Sequence, residues 1–150
     1  MRIAISSDEA NGLTAFVVSS LGDRGYDLVR LGALRKKGTE WVDSSRELAE
    51  SVSSGRVDQG VLFCWTGTGA SIVANKIPGV RAALCTDPEQ ARGARKWDHA
   101  NVLVMSLQLT SNALAKRILD AWFSEPYGKS AFDKRNIRKL DDIERKIMKK

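Results

Sequence analysis

The residues best suited to chemistry lie in the turn after a strongly apolar segment, where positions 64–71 read Cys-Trp-Thr-Gly-Thr-Gly-Ala-Ser. Glycines let a backbone approach a ligand closely, and a helix start offers free N–H groups to an oxyanion or a phosphate. The positive end of the helix dipole would also favour the thiolate of Cys64. A thiolate beside such an anion site can remove a proton next to a carbonyl and hold the resulting enediolate. The pattern alone is equally compatible with a buried structural cysteine.

Other candidates lie near the ends of predicted strands or in loops. Asp8 could accept sugar hydroxyls or cap the first helix, and Glu9 is expected in the first turn of that helix. His99 is the only histidine and follows Asp98 in a loop, where it could transfer protons or simply be solvated. Cys85 is expected to be a small core residue. One histidine and two distant cysteines indicate no metal site.

Short apolar runs alternate with helical patterns along the whole chain, which predicts an α/β fold with a parallel sheet. Strands are expected at 2–6, 26–31, 59–64, 81–85 and 102–106, and helices at 9–21, 43–53, 67–75, 88–97, 111–123 and 133–149. Right-handed crossovers place helices on both faces of such a sheet. Its ligand site lies at the carboxyl ends of the strands, where Asp8 and Cys64 are found.

Composition limits the possible classes of protein. A chain of 150 residues, 43% apolar and 28% charged, predicts one globular domain over residues 1–150 and no disulfide framework. No apolar run approaches the roughly 18 residues of a membrane span. The start lacks a signal-peptide pattern, so a cytoplasmic location is expected. The net charge of +6 arises mostly in residues 129–150, as a solvated helical face would produce, so nucleic-acid binding is disfavoured.

The strongest motif runs from Cys64 to Ala83 and reads Cys-x-Thr-Gly-x-Gly-x-Ser-Ile-x-Ala-Asn-Lys-x-Pro-Gly-x-Arg-Ala-Ala. Ile-Ser-Ser-Asp-x-Ala at positions 5–10 and Asp-Ala-Trp at positions 120–122 accompany it. On these motifs the chain resembles the type B ribose-5-phosphate isomerases and the related galactose-6-phosphate isomerase subunits. The resemblance covers nearly the whole chain.

The resemblance implies a Rossmann-like, three-layer α/β/α fold with strand order 2-1-3-4-5. It implies a homodimer, or a tetramer of two such dimers, in which the C-terminal helix reaches over the partner and both chains build each active site. It further implies aldose–ketose isomerisation of a small sugar phosphate, without metal or other cofactor.

By position, the resemblance makes Cys64 the base that moves a proton between two carbons of an enediol, and Thr66 an assistant in proton transfer. Asp8 would bind sugar hydroxyls. The other residues that it places around the substrate are Glu9, Trp41, Trp65, Gly67, Thr68, Gly69, Ala70, Ser71, Trp97, Lys134, Arg135 and Arg138. Of these, the backbone of residues 67–71 would hold the enediolate oxygen, and the three cations of the C-terminal helix would hold a phosphate.

Several departures from the family pattern bear on the substrate. Trp97 stands where the family has a ring-opening histidine, so His99 or Asp98 is expected to take over that step. Glu9 stands where a histidine is common, and a carboxylate repels a phosphate. Trp41 and the other added tryptophans narrow the pocket. We therefore expect a diverged substrate, such as a shorter sugar phosphate or an unphosphorylated sugar. The alternative is a catalytically weak paralogue that binds sugar phosphate or serves as a partner subunit.

Overall fold

A five-stranded parallel sheet lies at the centre of the fold in the computed structural model, which describes residues 1–149. The strands are β1 (Arg2–Ser7), β2 (Asp27–Gly32), β3 (Gln59–Cys64), β4 (Ala82–Leu84) and β5 (Val102–Ser106). The helices are α1 (Gly12–Asp23), α2 (Trp41–Ser53), α3 (Thr68–Ala74), α4 (Pro88–Lys96), α5 (Asn112–Ser124) and α6 (Ala131–Met148). Elements of both kinds therefore alternate as predicted.

Two apolar clusters, one on each face of the sheet, make the fold three-layered. The first joins the sheet to α1, α4 and α5, and the second joins it to α2 and α3. Because successive side chains of a strand point to opposite faces, β3 contributes to both clusters. Phe63 belongs to the first cluster and Cys64 to the second. Cys64 therefore lies on the face covered by α2 and α3.

The strand order is β2-β1-β3-β5-β4, so the predicted order 2-1-3-4-5 is wrong in its last two positions. All five residues of β5 are buried, whereas the three residues of β4 are only partly buried. A long apolar strand is stabilised by burial between two neighbours, and a short strand suits the edge of the sheet. The sequence pattern marks both segments as strands but carries no signal for their relative positions.

The start of α1 differs from the prediction. Asn11 caps this helix through a reciprocal pair of hydrogen bonds with Thr14, so neither Asp8 nor Glu9 belongs to it. Both acidic residues lie instead in the loop between β1 and α1. Asp87 caps α4, since its carboxylate accepts from the N–H of Gln90 at 2.9 Å.

Helix α2 begins at Trp41, two residues before the predicted start at Asp43. This places the indole of Trp41 in the first turn of the helix. Among residues 1–149, no helix is both long enough and apolar enough to cross a bilayer.

Candidate functional site

The sheet brings Asp8, Cys64 and Ser106 to one edge. Ser7 is paired with Phe63, so the next residues, Asp8 and Cys64, leave two neighbouring strands side by side. Cys64 is in turn paired with Ser106 of β5. Neighbouring strands lie about 4.8 Å apart, so these three residues are within reach of one small ligand. We call this end of the sheet, where the parallel strands reach their carboxyl ends, the carboxyl edge.

The turn after β3 presents the Cys64 thiol to a backbone donor. The N–H of Gly67 points at Cys64 Sγ over 3.2 Å, and Cys64 is only 5% exposed. An N–H that donates to sulfur interacts more strongly with a thiolate than with a neutral thiol. Gly67 has the left-handed φ of 81° and provides no side chain to cap α3. The N–H of Thr68, the first residue of α3, lies 3.4 Å from Thr66 Oγ1, but no side chain of the N-cap residue caps the helix, so its next amides are available to an anion.

The hydroxyls beside this turn form a second polar group. Thr66 Oγ1 and Thr68 Oγ1 lie 2.7 Å apart, and both residues are exposed. Farther along α3, Ala70 is fully buried, and the Oγ of Ser71 is buried without a hydrogen-bond partner in residues 1–149. An exposed hydroxyl pair next to a thiol can relay a proton between substrate oxygens.

Ser106 supports the turn from the neighbouring strand. Its hydroxyl donates to the Trp65 carbonyl at 2.8 Å and accepts from the N–H of Leu109 at 3.1 Å. The N–H of Leu107 donates to the Cys64 carbonyl at 3.0 Å. The sequence analysis did not identify Ser106 as a functional residue, because its role depends on β5 being paired directly with β3.

Asp8 has one carboxylate oxygen that no other group satisfies. Its Oδ1 is buried and has no hydrogen-bond partner in the part of the chain that the structure describes. Burial raises the pKa of Asp8, and the charge of Glu9 raises it further, while a hydrogen bond from its own backbone opposes both. A buried acceptor without a donor is costly, so this oxygen is suited to a ligand hydroxyl.

Glu9, next to Asp8, is exposed and held by its backbone. Its N–H donates to Ser7 Oγ at 3.2 Å, and the Ser7 hydroxyl donates to the Glu9 carbonyl at 2.6 Å. The carboxylate itself therefore adds negative charge at the carboxyl edge.

Two tryptophans flank the turn. The Trp41 ring covers Gly69 so closely that a Cβ on this glycine would lie 2.9 Å from Trp41 Cζ3. Trp41 is nevertheless 46% exposed, and Trp65 is 55% exposed. Indoles this exposed are not part of the hydrophobic core, and their faces suit the C–H groups of a sugar.

The predicted residues Trp97, Asp98 and His99 lie at the opposite edge of the sheet. They precede Asn101, whose carbonyl accepts from the N–H of Gly60 at the beginning of β3. From Gly60 to Cys64 the strand extends over about 13 Å. Within one chain, the structure therefore does not bring these residues to the thiol of Cys64. We call their region the amino edge.

His99 is held in place at the amino edge. Its Nε2 lies 3.0 Å from the Gly128 carbonyl, and its ring stacks on Tyr127 with centroids 4.4 Å apart. Its backbone has the left-handed φ of 48°. Desolvation raises the pKa of the neighbouring Asp98, which the charge of His99 partly opposes. The sequence analysis did not identify Tyr127, which lies in a loop between two helices.

Trp97 caps the end of α4 with its ring over Gly93, where a Cβ would lie 2.9 Å from Trp97 Cζ3. The residue is 57% exposed. Its indole therefore forms part of the outer surface of the amino edge.

The basic residues of α6 belong to the amino edge as well. The loop before this helix is fixed there by the N–H of Gly128, which donates to the Lys96 carbonyl at 2.8 Å. The side chains of Lys134, Arg135 and Arg138 follow in the first two turns of α6 and are exposed. Within residues 1–149, none of the three takes part in an ion pair.

The later part of α6 crosses towards the loop before β4. Glu144 Oε1 accepts from the N–H of Gly79 at 2.7 Å, and Arg81 pairs with Asp141 at 3.4 Å. In the described part of the chain, no group of three or more His, Cys, Asp or Glu side chains could hold a metal ion.

Comparisons with known proteins extend over nearly the whole chain. The family model for ribose/galactose isomerases matches residues 3–143. Ribose-5-phosphate isomerase B of Escherichia coli (strain K12) is 36% identical over 111 residues, which is 74% of each chain. The 4-deoxy-4-sulfo-D-erythrose isomerase of Clostridium sp. (strain MSTE9) is 30% identical, and the match covers 100% of this chain and 99% of that one. The solved structure of Clostridium thermocellum ribose-5-phosphate isomerase B has a TM-score of 0.91 at 34% identity, and covers 98% of this chain and 99% of its own. The resemblance is confirmed, and the chain belongs to the ribose/galactose isomerase family.

Proposed function

We propose that this sugar-phosphate isomerase interconverts an aldose and a ketose through an enediolate, with Cys64 as the base. The observation that carries the proposal is the thiol of Cys64, which accepts from the N–H of Gly67 at 3.2 Å beside the uncapped start of α3. The unsatisfied Oδ1 of Asp8 leaves the neighbouring strand at the same edge. A base, an anion site and a hydroxyl acceptor thus lie together.

The proposed reaction begins when the Cys64 thiolate removes the proton from C2 of the aldose. The electron pair of that bond forms the C1–C2 double bond, and the negative charge moves to O1. The free amides at the start of α3 stabilise this oxyanion. Cys64 then returns the proton to C1, while Thr66 transfers the O2 proton to O1, which leaves a carbonyl at C2. The Asp8 carboxylate accepts hydrogen bonds from the hydroxyls of the remaining carbons.

Two copies of the chain are needed to complete the site that we propose. Lys134, Arg135 and Arg138 take part in no ion pair within residues 1–149 and suit a substrate anion, yet they lie at the amino edge and not beside Cys64. A second copy could place its amino edge against the carboxyl edge of the first. Helix α6 also exposes a set of large apolar side chains that a partner would cover: Phe132, Leu140, Ile143, Ile147 and Met148. We therefore propose a homodimer with shared sites.

Replacement of the thiol tests the base. Cys64→Ala should lower deuterium incorporation at C2 of the substrate in D2O by at least about 100-fold, the usual contribution of a positioned proton-transfer group. Cys85→Ala is the matched control, because Cys85 is also buried but follows β4 rather than β3, and it should retain exchange. Circular dichroism and gel filtration check that both variants fold. Exchange that survives in Cys64→Ala would exclude this cysteine as the base.

Mixing two inactive variants tests the shared site. One carries Cys64→Ala and the other replaces Lys134, Arg135 and Arg138 with alanine. If each site uses both chains, mixed dimers hold one intact site, and about a quarter of wild-type activity should return after subunit exchange. No recovery in a mixture shown to contain mixed dimers would contradict the shared site. Tight binding of sugar phosphate by the wild-type protein without any exchange would instead favour the weak paralogue or partner subunit.

A further inference from the structure

Ring opening is a step for which the carboxyl edge offers no histidine, and the amino edge that a partner would bring to it carries Asp98 and His99. An aldopentose 5-phosphate exists mainly as a ring closed through O4, and opening it moves a proton from the O1 hydroxyl to the ring oxygen. Histidine is the side chain best matched to that transfer near neutral pH. The chain has a single histidine, His99.

His99 is committed to holding a loop. A carbonyl can only accept, so the 3.0 Å contact with Gly128 O requires the proton on Nε2. The imidazole also stacks on Tyr127, and the same tyrosine ring carries the Arg95 guanidinium 4.3 Å from its centroid. Tyr127 in turn donates to the Ala100 carbonyl at 3.3 Å. These contacts fasten the loop before α6 to the end of α4, and loss of the Nε2 proton to a substrate would break the bond to Gly128.

The Trp41 ring also limits the room at the carboxyl edge. It covers Gly69, where a Cβ would lie 2.9 Å from Trp41 Cζ3, in the turn that receives the C1 and C2 oxygens in the proposed reaction. Asp8 and Glu9 add negative charge, so the anionic end of a substrate must point away from them. The free cations of α6 remain as partners for that end.

We propose that the substrate is a four-carbon aldose–ketose pair with a phosphate or sulfonate at C4, a substrate that never forms a ring. This inference rests on the proposed isomerase function and names its substrate class. With O4 esterified or absent, such a sugar cannot close a furanose, and closure through O3 would produce a four-membered ring. Its chain is also short enough to pass beneath Trp41, and its charged end reaches the α6 cations of the partner.

The test uses the wild-type protein and four substrates in D2O: D-erythrose 4-phosphate, 4-deoxy-4-sulfo-D-erythrose, D-ribose 5-phosphate and 4-deoxy-D-ribose 5-phosphate. The last has five carbons but cannot close a furanose, so it separates ring opening from chain length. We expect kcat/KM for at least one four-carbon substrate to exceed that for ribose 5-phosphate by about 100-fold or more, the range of one acid–base group. The first two substrates identify whether phosphate or sulfonate is preferred.

The 4-deoxy pentose shows whether ring opening or chain length limits the activity on ribose 5-phosphate. Activity intermediate between the four-carbon substrates and ribose 5-phosphate supports both the missing ring opener and the short site. In Trp41→Ala, the ratio of kcat/KM for the 4-deoxy pentose to that for the four-carbon substrate should rise about tenfold, the discrimination expected of an apolar wall. Because it is a ratio, partial loss of folded protein does not affect it.

Two results would overturn the inference. Ribose 5-phosphate turned over as fast as the four-carbon substrates would show that the ring is opened, and a selective loss of that activity in His99→Ala or Asp98→Asn would identify the group. No exchange with any substrate from a folded dimer would overturn the isomerase function itself, a failure distinguishable from the first.

Discussion

Alanine in place of Gly67 tests the link between the turn geometry and the thiol. The residue has φ of 81°, where a side chain costs about 1–2 kcal/mol. A Cβ would also lie 2.5 Å from Leu84 Cδ1, and overpacking of this kind adds about 1–3 kcal/mol. Gly67→Ala should therefore lower the free energy of unfolding by about 2–5 kcal/mol.

Gly25→Ala is the matched control. Its φ is 80°, but a Cβ there would meet nothing within 4 Å, so only the backbone cost of about 1–2 kcal/mol applies. The difference between the free energies of unfolding of the two variants, measured in urea, gives the cost of the clash. Deuterium exchange at C2 adds a functional measurement, because a shifted Gly67 withdraws its N–H from Cys64 Sγ. Equal stability of the two variants, or full exchange activity in Gly67→Ala, would refute this reasoning.

Three further predictions follow from particular side chains. Burial raises the pKa of Asp8 above 3.8, so the stability that its protonated form contributes is present below pH 3.8 and is lost as pH rises through the folded pKa. Asp8→Asn should thus unfold at a higher urea concentration than wild type near pH 7, and this difference in midpoint should shrink towards pH 3. The KM of the variant should rise. A difference in midpoint that is independent of pH would contradict this reasoning. Burial, with help from Asp87 and Asp98, raises the pKa of Cys85 to about 12, so mass spectrometry should find Cys85 unalkylated by iodoacetamide at pH 8 until urea is added, and rapid native labelling would show otherwise. Trp97→His places a histidine at the position where the resemblance implies a ring-opening histidine, and it should raise turnover of ribose 5-phosphate more than that of its 4-deoxy analogue; an equal change in both would argue against a ring-opening effect.

The turn after β3 could be predicted from the sequence because its signals are local. A buried strand ending in Cys64, followed at once by glycines and hydroxyls, marks both the end of β3 and the start of α3 within a dozen residues. The bounds of β3 and β5 were predicted correctly, since each is a continuous apolar run between polar segments. The motif from Cys64 to Ala83 is equally local, and the comparisons confirm the family that it indicates.

The acidic loop after β1 shows where local signals fail. Asp8 had two interpretations, and Glu9 was placed in a helix that begins three residues later, at Gly12. Asn11 provides the cap because its bond with Thr14 satisfies two backbone donors at once. That choice leaves the Oδ1 of Asp8 buried and unsatisfied, which a sequence pattern cannot show because burial depends on the neighbouring strands.

The sequence by itself determined the α/β class, the approximate positions of the strands and the Cys64 turn, because apolar periodicity, capping and turn residues act over a few positions. The motif from Cys64 to Ala83 indicated the family by resemblance. Tertiary structure alone decided that β5 lies between β3 and β4, so that Ser106 supports the turn beside Cys64. It also decided that Trp97, His99 and the α6 cations lie at the opposite edge from the thiol. Strand order and the edge that a loop occupies depend on how much apolar surface each arrangement buries over the whole chain, and that quantity is absent from any short window of residues.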